Sequence, residues 1–168
     1  LSHGSIMPRH LSDCDDTEVM INALRDMPDT IDIKAAGTAM RFLTAYLSVA
    51  EGEEHVITGT ERMKHRPIAI LVDALRYLGA DISYEGEEGY PPLRIKGKAL
   101  EGGHLEITGS VSSQYISALL MIGPALKNGL ELKMTGNIAS RPYIDLTLWM
   151  MREFGAEAEW SDIDTVTV

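Results

Sequence analysis

The residues of this chain best suited to chemistry are the hydroxyls and amide of Gly109-Ser110-Val111-Ser112-Ser113-Gln114-Tyr115, which run into the apolar, turn-free segment Ile116 to Ile122. That spacing predicts a polar loop opening a buried helix. The first N–H groups of a helix have no intrahelical partner and its dipole adds positive charge there, so such a loop favours an anion, to which serine hydroxyls can also donate. The same letters fit plain helix capping by Ser112 or Ser113. A second helix start, Ala36-Gly37-Thr38, precedes a helix predicted over Thr38 to Ala50. Glycine there either admits a ligand close to the backbone or serves only as a turn. Between these two starts lies Glu61-Arg62-Met63-Lys64-His65-Arg66-Pro67, read as a loop between a strand and a helix. The planar fork of Arg62 suits a carboxylate or phosphate, although a loop arginine is also an ordinary solvated residue.

The elements that must position these residues are duplicated. Thr58-Gly59 recurs as Thr135-Gly136, 77 positions later; Arg66-Pro67 recurs as Arg141-Pro142, 75 later; Leu78-Gly79-Ala80 recurs as Phe154-Gly155-Ala156, 76 later. A shared offset marks a repeated supersecondary unit. Each copy reads as strand, loop, proline-started amphipathic helix, glycine stop and strand. The stripes Ile68, Leu71, Val72, Leu75, Leu78 and Ile144, Leu148, Met151 are core faces. Arg66 and Arg141, each before its proline, are expected to share a structural role. Alternation in His104 to Thr108 and in Pro92 to Lys96 marks strands with one wet face. Asp15 to Leu24, with apolar residues at 20, 21 and 24, reads as a helix left from an earlier, third unit. Residues 1–10 have no clear periodicity and begin as if cut from something longer. The expectation is an α/β chain forming one globular domain over 1–168.

Composition narrows the function. A content of 45% hydrophobic and 24% charged residues is that of an ordinary globular protein. No apolar run approaches the roughly 20 residues of a membrane helix. The net charge of −10 argues against nucleic acid, whose backbone is bound by clustered Lys and Arg. It also opposes an anionic ligand unless local charge prevails, and Arg62, Lys64 and Arg66 supply that within five residues. The single cysteine, Cys14, fits a reducing cytoplasm, and its acidic neighbours are expected to hold its proton more tightly. The five histidines show no metal-ligand spacing, and Asp13, Asp15 and Asp16 read as helix-start charges rather than a metal site. Trp149 and Trp160 are expected in core or edge packing.

Ala36-Gly37-Thr38-Ala39-Met40-Arg41, Glu61 to Pro67, Gly89-Tyr90-Pro91-Pro92-Leu93, Gly109 to Tyr115 and Ser140-Arg141-Pro142-Tyr143-Ile144-Asp145 stand in an order and spacing that resembles the 5-enolpyruvylshikimate-3-phosphate synthases from about Leu11 onward. Within the chemistry-bearing loops, Ala35 and Phe42 depart from the Asn and Pro that many members carry. The resemblance implies an inverse α/β barrel built from repeated β/α units, helices inside and sheets outside, with the second domain of the enzyme absent from this chain. It implies transfer of the enolpyruvyl group of phosphoenolpyruvate to the 5-hydroxyl of shikimate-3-phosphate, with no metal and no cofactor, in the cytoplasm.

On the same resemblance Gly37 and Arg62 hold phosphoenolpyruvate; Ser112, Ser113 and Ser140 clamp the 3-phosphate of shikimate-3-phosphate; Gln114 touches both substrates, and Tyr143 lines the shikimate pocket. The catalytic Asp, Glu and Lys belong to segments outside this chain, so the chain alone is expected to be inactive. Two other readings remain open here. One is the related transferase acting on UDP-N-acetylglucosamine, which bears a cysteine in the loop that here reads Glu61-Arg62-Met63-Lys64. The other is a non-catalytic repeat module binding a phosphorylated ligand.

Overall fold

A computed structural model describes residues 8–168; of the aperiodic opening stretch 1–10, residues 1–7 lie outside the described ones. Helix α1 (Asp15–Asp26) is followed by β1 (Thr30–Asp32), α2 (Gly37–Ser48), β2 (Glu54–Thr58), the one-turn helix α3 (Glu61–Lys64), α4 (Ala69–Tyr77), β3 (Asp81–Tyr84) and β4 (Leu93–Lys96). Then come β5 (Gly103–Thr108), α5 (Ser113–Ile122), a 3-10 turn at Gly123–Ala125, β6 (Leu130–Thr135), α6 (Arg141–Glu153), β7 (Glu159–Trp160) and β8 (Thr165–Thr167).

The strands form two four-stranded sheets of the same plan, β1-β2-β4-β3 and β5-β6-β8-β7. In each, the first pair is parallel and the others antiparallel: Ile31 faces Ile57 as Leu105 faces Leu132, and Ile57 faces Leu93 as Leu132 faces Val166. A parallel pair needs a crossover, and α2 and α5 supply it. The strands alternate buried and wet residues, His55 and Ile57 inward against Glu54, Leu105 and Ile107 inward against His104 and Glu106. One face of each sheet therefore meets water.

The helices lie inside. Around α5, Tyr115 to Leu120 are consecutively buried, and α2 is covered on most of its circumference, including Thr44 and Ser48, whose hydroxyls donate back to the carbonyls of Met40 and Thr44 at 2.7 Å. Helix α2 packs most extensively on α5, which also packs on α6 and α4. The fold is thus α/β with sheets outward and helices at the centre, as the resemblance implies. Both core stripes sit where the periodicity puts them: Ile68, Leu71, Val72, Leu75 and Leu78 are buried, as are Ile144, Leu148 and Met151.

Local readings differ at four places. Helix α4 begins only at Ala69, capped by Ile68, so Pro67 precedes the helix, whereas Pro142 does lie in the first turn of α6. Helix α1 buries Val19 and Ala23 and leaves Leu24 exposed, because its contact with α2 falls one residue behind the apolar stripe. Trp149 is half exposed on α6 rather than in the core. The Cys14 thiol is drawn below its ordinary pKa, not raised, because hydrogen bonds from Ser12 and Thr17 outweigh the charge of Asp16.

Leu119 is fully buried on the central helix. Leu119→Ala is expected to destabilise the chain by about 3 kcal/mol in chemical denaturation, as large-to-small core changes do, while Ile163→Ala, mostly exposed, changes stability by less than about 0.5 kcal/mol.

Candidate functional site at converging helix starts

Two side-chain hydrogen bonds bring the helix starts of the two units together. Gln114 Nε2 in the first turn of α5 donates to Thr38 Oγ1 in the first turn of α2 at 3.0 Å. Tyr115 Oη donates to the carbonyl of Pro67, just before α4, at 2.7 Å. Gly37 and Gln114, 77 positions apart in the chain, thereby stand on adjacent helix ends.

The start of α2 is bare. Ala36 offers no side-chain cap and no acid occupies the first turn; the first N–H to find a backbone acceptor is that of Met40, on Ala36 O at 3.1 Å. The N–H groups of Gly37, Thr38 and Ala39 face outward without a partner among the described residues. Around them stand arginines. Arg41, only 5% exposed, folds back so that Nη1 donates to Gly37 O at 2.8 Å, and its guanidinium lies 5.6 Å from the Tyr115 ring centre. Its Nε is buried with no partner. Arg62 and Arg66, with Ala35, Thr60 and Met63, line a cavity of about 230 Å³. None of the three arginines forms an ion pair with a carboxylate among the described residues. Partial desolvation first, and then the charges of Arg41 and Arg62, pull the largely exposed Arg66 guanidinium below its ordinary pKa.

The loop carrying Arg62 is pinned. Sequence reading takes it as a loop, but Thr60 Oγ1 accepts from Met63 N at 3.4 Å and closes one helical turn, α3. Thr60 N and Ile33 N donate to Lys34 O and Thr58 O at 2.9 Å each, fastening this turn to the segment that leads into α2. Gly59 permits that closeness, since a β-carbon there would stand 2.5 Å from Lys34 O. Gly37 also has a spatial reason. Its backbone is helical, where Ala would be favoured by up to about 1 kcal/mol. A β-carbon on it, however, would lie 2.9 Å from Arg66 Cζ.

At α5, Ser112 is the N-cap, its Oγ accepting from Gln114 N at 3.3 Å, so one lone pair is spent on capping while the hydroxyl hydrogen remains available. Ser113 opens the helix beside it, half-buried. Ser140 caps α6 in the left-handed region, φ 56°, and makes no side-chain capping bond. Its loop lies against that of α5: Ala139 N donates to Gly109 O at 2.9 Å, beyond the paired strand ends Thr108 and Thr135. A non-glycine residue held at positive φ carries strain of the kind concentrated at binding sites. Tyr143 is different. It is 64% exposed on an apolar face of α6 with Leu146, Met150 and Phe154, and its hydroxyl makes no hydrogen bond among the described residues.

The two repeat-related arginines have different fates, against the expectation of a shared role. Arg141 is tied down, donating to Ile163 O at 2.7 Å and lying 3.6 Å from the Trp160 ring centre. Arg66 is not.

Chemically, the cluster holds hydroxyls, amides and cations, and no carboxylate or histidine bonds into it. It can grip anionic groups and balance their charge. A larger cavity, about 580 Å³ between α4 and β5, is lined by Asp73, Tyr77, His104 and Glu106 and would repel an anion. Sequence reading passed over Thr38, Arg41 and Tyr115. An arginine within Ala39-Met40-Arg41-Phe42-Leu43 was the available signal, since a charge inside an apolar helical run must be paired or functional.

Residues 11–168 match the sequence profile of a family described as EPSP synthase (3-phosphoshikimate 1-carboxyvinyltransferase). The 3-phosphoshikimate 1-carboxyvinyltransferase of Bacteroides fragilis is 62% identical over the whole of this chain, which spans 41% of that protein. The protein of the same name from Haemophilus influenzae is 42% identical over 95% of the chain and 43% of its own length. Among solved structures, EPSP synthase from Acinetobacter baumannii superposes with a TM-score of 0.80 at 23% identity, covering 94% of this chain and 40% of that one. The chain therefore spans about two fifths of the length of these relatives.

Unpaired cations at bare helix ends should show in stability. Sulfate is expected to raise the thermal midpoint above that in chloride at matched ionic strength, since an ion that binds only the folded state stabilises it. Arg41→Met is expected to leave stability within about 1 kcal/mol of the parent or to raise it, because it removes a buried, incompletely bonded charge. It should also reduce the sulfate effect. A loss above about 3 kcal/mol would mark Arg41 as structural.

Proposed function

Because this chain belongs to the EPSP synthase (3-phosphoshikimate 1-carboxyvinyltransferase) family, we propose that it is the anion-holding part of an enzyme that moves the enolpyruvyl group of phosphoenolpyruvate to the 5-hydroxyl of shikimate-3-phosphate. The observation that carries this reading is the hydrogen bond between Gln114 and Thr38, which sets two helix starts side by side next to unpaired arginines. Each substrate carries a phosphate, and phosphoenolpyruvate a carboxylate besides. Free N–H groups, hydroxyls and guanidinium forks are the donors such groups need.

In this reading Gly37 and Arg62 hold phosphoenolpyruvate at the start of α2. Ser112, Ser113 and Ser140 hold the 3-phosphate at the starts of α5 and α6, and Gln114 lies between them. Tyr143 is the outermost member, at the rim of the shikimate subsite. The reaction joins the 5-hydroxyl oxygen to the enol carbon in a tetrahedral adduct, and the bond from that carbon to the phosphate oxygen then breaks. Donors fixed in advance place both substrates and stabilise the departing phosphate.

Proton transfer has to come from elsewhere, since no free acid or base stands among these residues. We assign it to a second domain of the same protein. The apolar face of α6, with Leu146, Met150 and Phe154 exposed, is a surface on which further parts of that protein can pack. A cytoplasmic location belongs to the same proposal and agrees with a free, exposed Cys14.

In titration calorimetry the chain is expected to bind shikimate-3-phosphate weakly and UDP-N-acetylglucosamine not at all. Ser112→Ala and Ser140→Ala should each lower shikimate-3-phosphate affinity by about tenfold, the worth of a hydrogen bond to a charged group. Unchanged affinity in both would remove the clamp. The chain by itself should show no turnover of the two substrates, and measurable turnover would refute the division of labour.

A further inference from the structure

We propose that Arg66 is an anion-binding residue of the α2 start, seated there because position 37 carries no side chain, and that it takes a phosphate or carboxylate oxygen beside Arg62.

Three observations carry this inference, which rests on the reading that the helix starts hold anions. The first is contact. The Arg66 guanidinium lies against Gly37, so that a β-carbon at 37 would come within 2.9 Å of both Cζ and Nη2. The guanidinium therefore packs on the first residue of α2, the turn in which the N–H groups of Gly37, Thr38 and Ala39 have no partner among the described residues. The second is the absence of any other employment. Arg66 makes no side-chain hydrogen bond and no ion pair among the described residues, although its neighbours Lys64 and His65 are both engaged, on Glu61 Oε1 and Glu61 O at 2.7 Å. The charge of Asp16 acts on it only weakly, behind desolvation and the charges of Arg41, Tyr115 and Arg62. Its counterpart Arg141 supplies an internal control, because the same position in the second unit is fully committed to Ile163 O and Trp160.

The third observation is Arg41. It is 5% exposed, with an unpartnered Nε, and folds back onto the carbonyl of Gly37. Two cations therefore press on one helix start whose dipole is also positive, an arrangement favourable only when an anion joins it. Arg62 and Arg66 both line the cavity of about 230 Å³, together with Ala35, so an incoming group would meet two guanidinium forks there. This gives Gly37 a role beyond letting a ligand near: it lets Arg66 near.

The test is a double-mutant cycle on this chain, read by the amide resonances of Gly37, Thr38 and Ala39 during titration with phosphoenolpyruvate. The parent is expected to shift saturably. Arg66→Ala should weaken binding about tenfold, and Arg66→Lys should recover part of the loss, keeping the charge without the fork. Gly37→Ala should weaken binding comparably in the parent and have no further effect when Arg66→Ala is already present. Equal losses from Gly37→Ala in both backgrounds, or full affinity in Arg66→Ala, would overturn the role of Arg66 while leaving the helix-start site standing. A parent chain whose amides do not respond would overturn this inference together with the reading beneath it. Arg66 is exposed and unbonded, so its variants should keep the parent spectrum elsewhere, which the same experiment reports.

Discussion

Everything proposed for this chain depends on a hydrogen bond between two residues that a duplication set far apart, Gln114 of the second unit and Thr38 of the first. Each unit alone is a small sheet with a crossover helix, and neither could enclose a ligand. Packing α2 against α5 buries the apolar flanks of both and leaves their first turns side by side. The polar bonds at that end, Gln114 to Thr38 and Tyr115 to Pro67, then fix the relative depth of the helices. Hydrophobic burial drives the association, and hydrogen bonding sets its register.

The second constraint is charge. A chain of net charge −10 should repel phosphates, yet its helix starts gather Arg41, Arg62 and Arg66 with no paired carboxylate among the described residues. Several other arginines are occupied: Arg94 with Glu54 and Glu85, Arg76 with the carbonyl of Ile82, Arg152 with that of Ala158. Leaving the buried Arg41 uncompensated costs stability. Cation clusters of this kind persist where a ligand completes them, and screening over about 8 Å at physiological salt keeps the distant acids from cancelling them.

Much of this was legible in the letters. The shared offset gave the duplication, which reappears as two sheets of one plan, and period-3.6 stripes gave the buried faces of α4 and α6. What stayed hidden depends on tertiary contact. Pro67 and Pro142 look equivalent, yet only Pro142 enters a helix, because Ile68 N is drawn to Gly89 O in the first unit. Arg66 and Arg141 look equivalent too, and only a neighbouring hairpin with Trp160 separates them. Trp149 reads as core or edge packing by type, and α6 leaves it half exposed. Tyr143 shares the same exposed side, and nothing local in the sequence distinguishes a ligand-facing tyrosine from an interface one.

The central claim is convergence: hydroxyls and amides from separate helix starts serve one phosphorylated ligand. It is tested most directly by a crystal structure of the chain with shikimate-3-phosphate. The account requires the phosphate within about 3 Å of the hydroxyls of Ser112, Ser113 and Ser140 together, with Gln114 reaching toward the ring. A phosphate bound to only one of these loops, or to none of them, would contradict it.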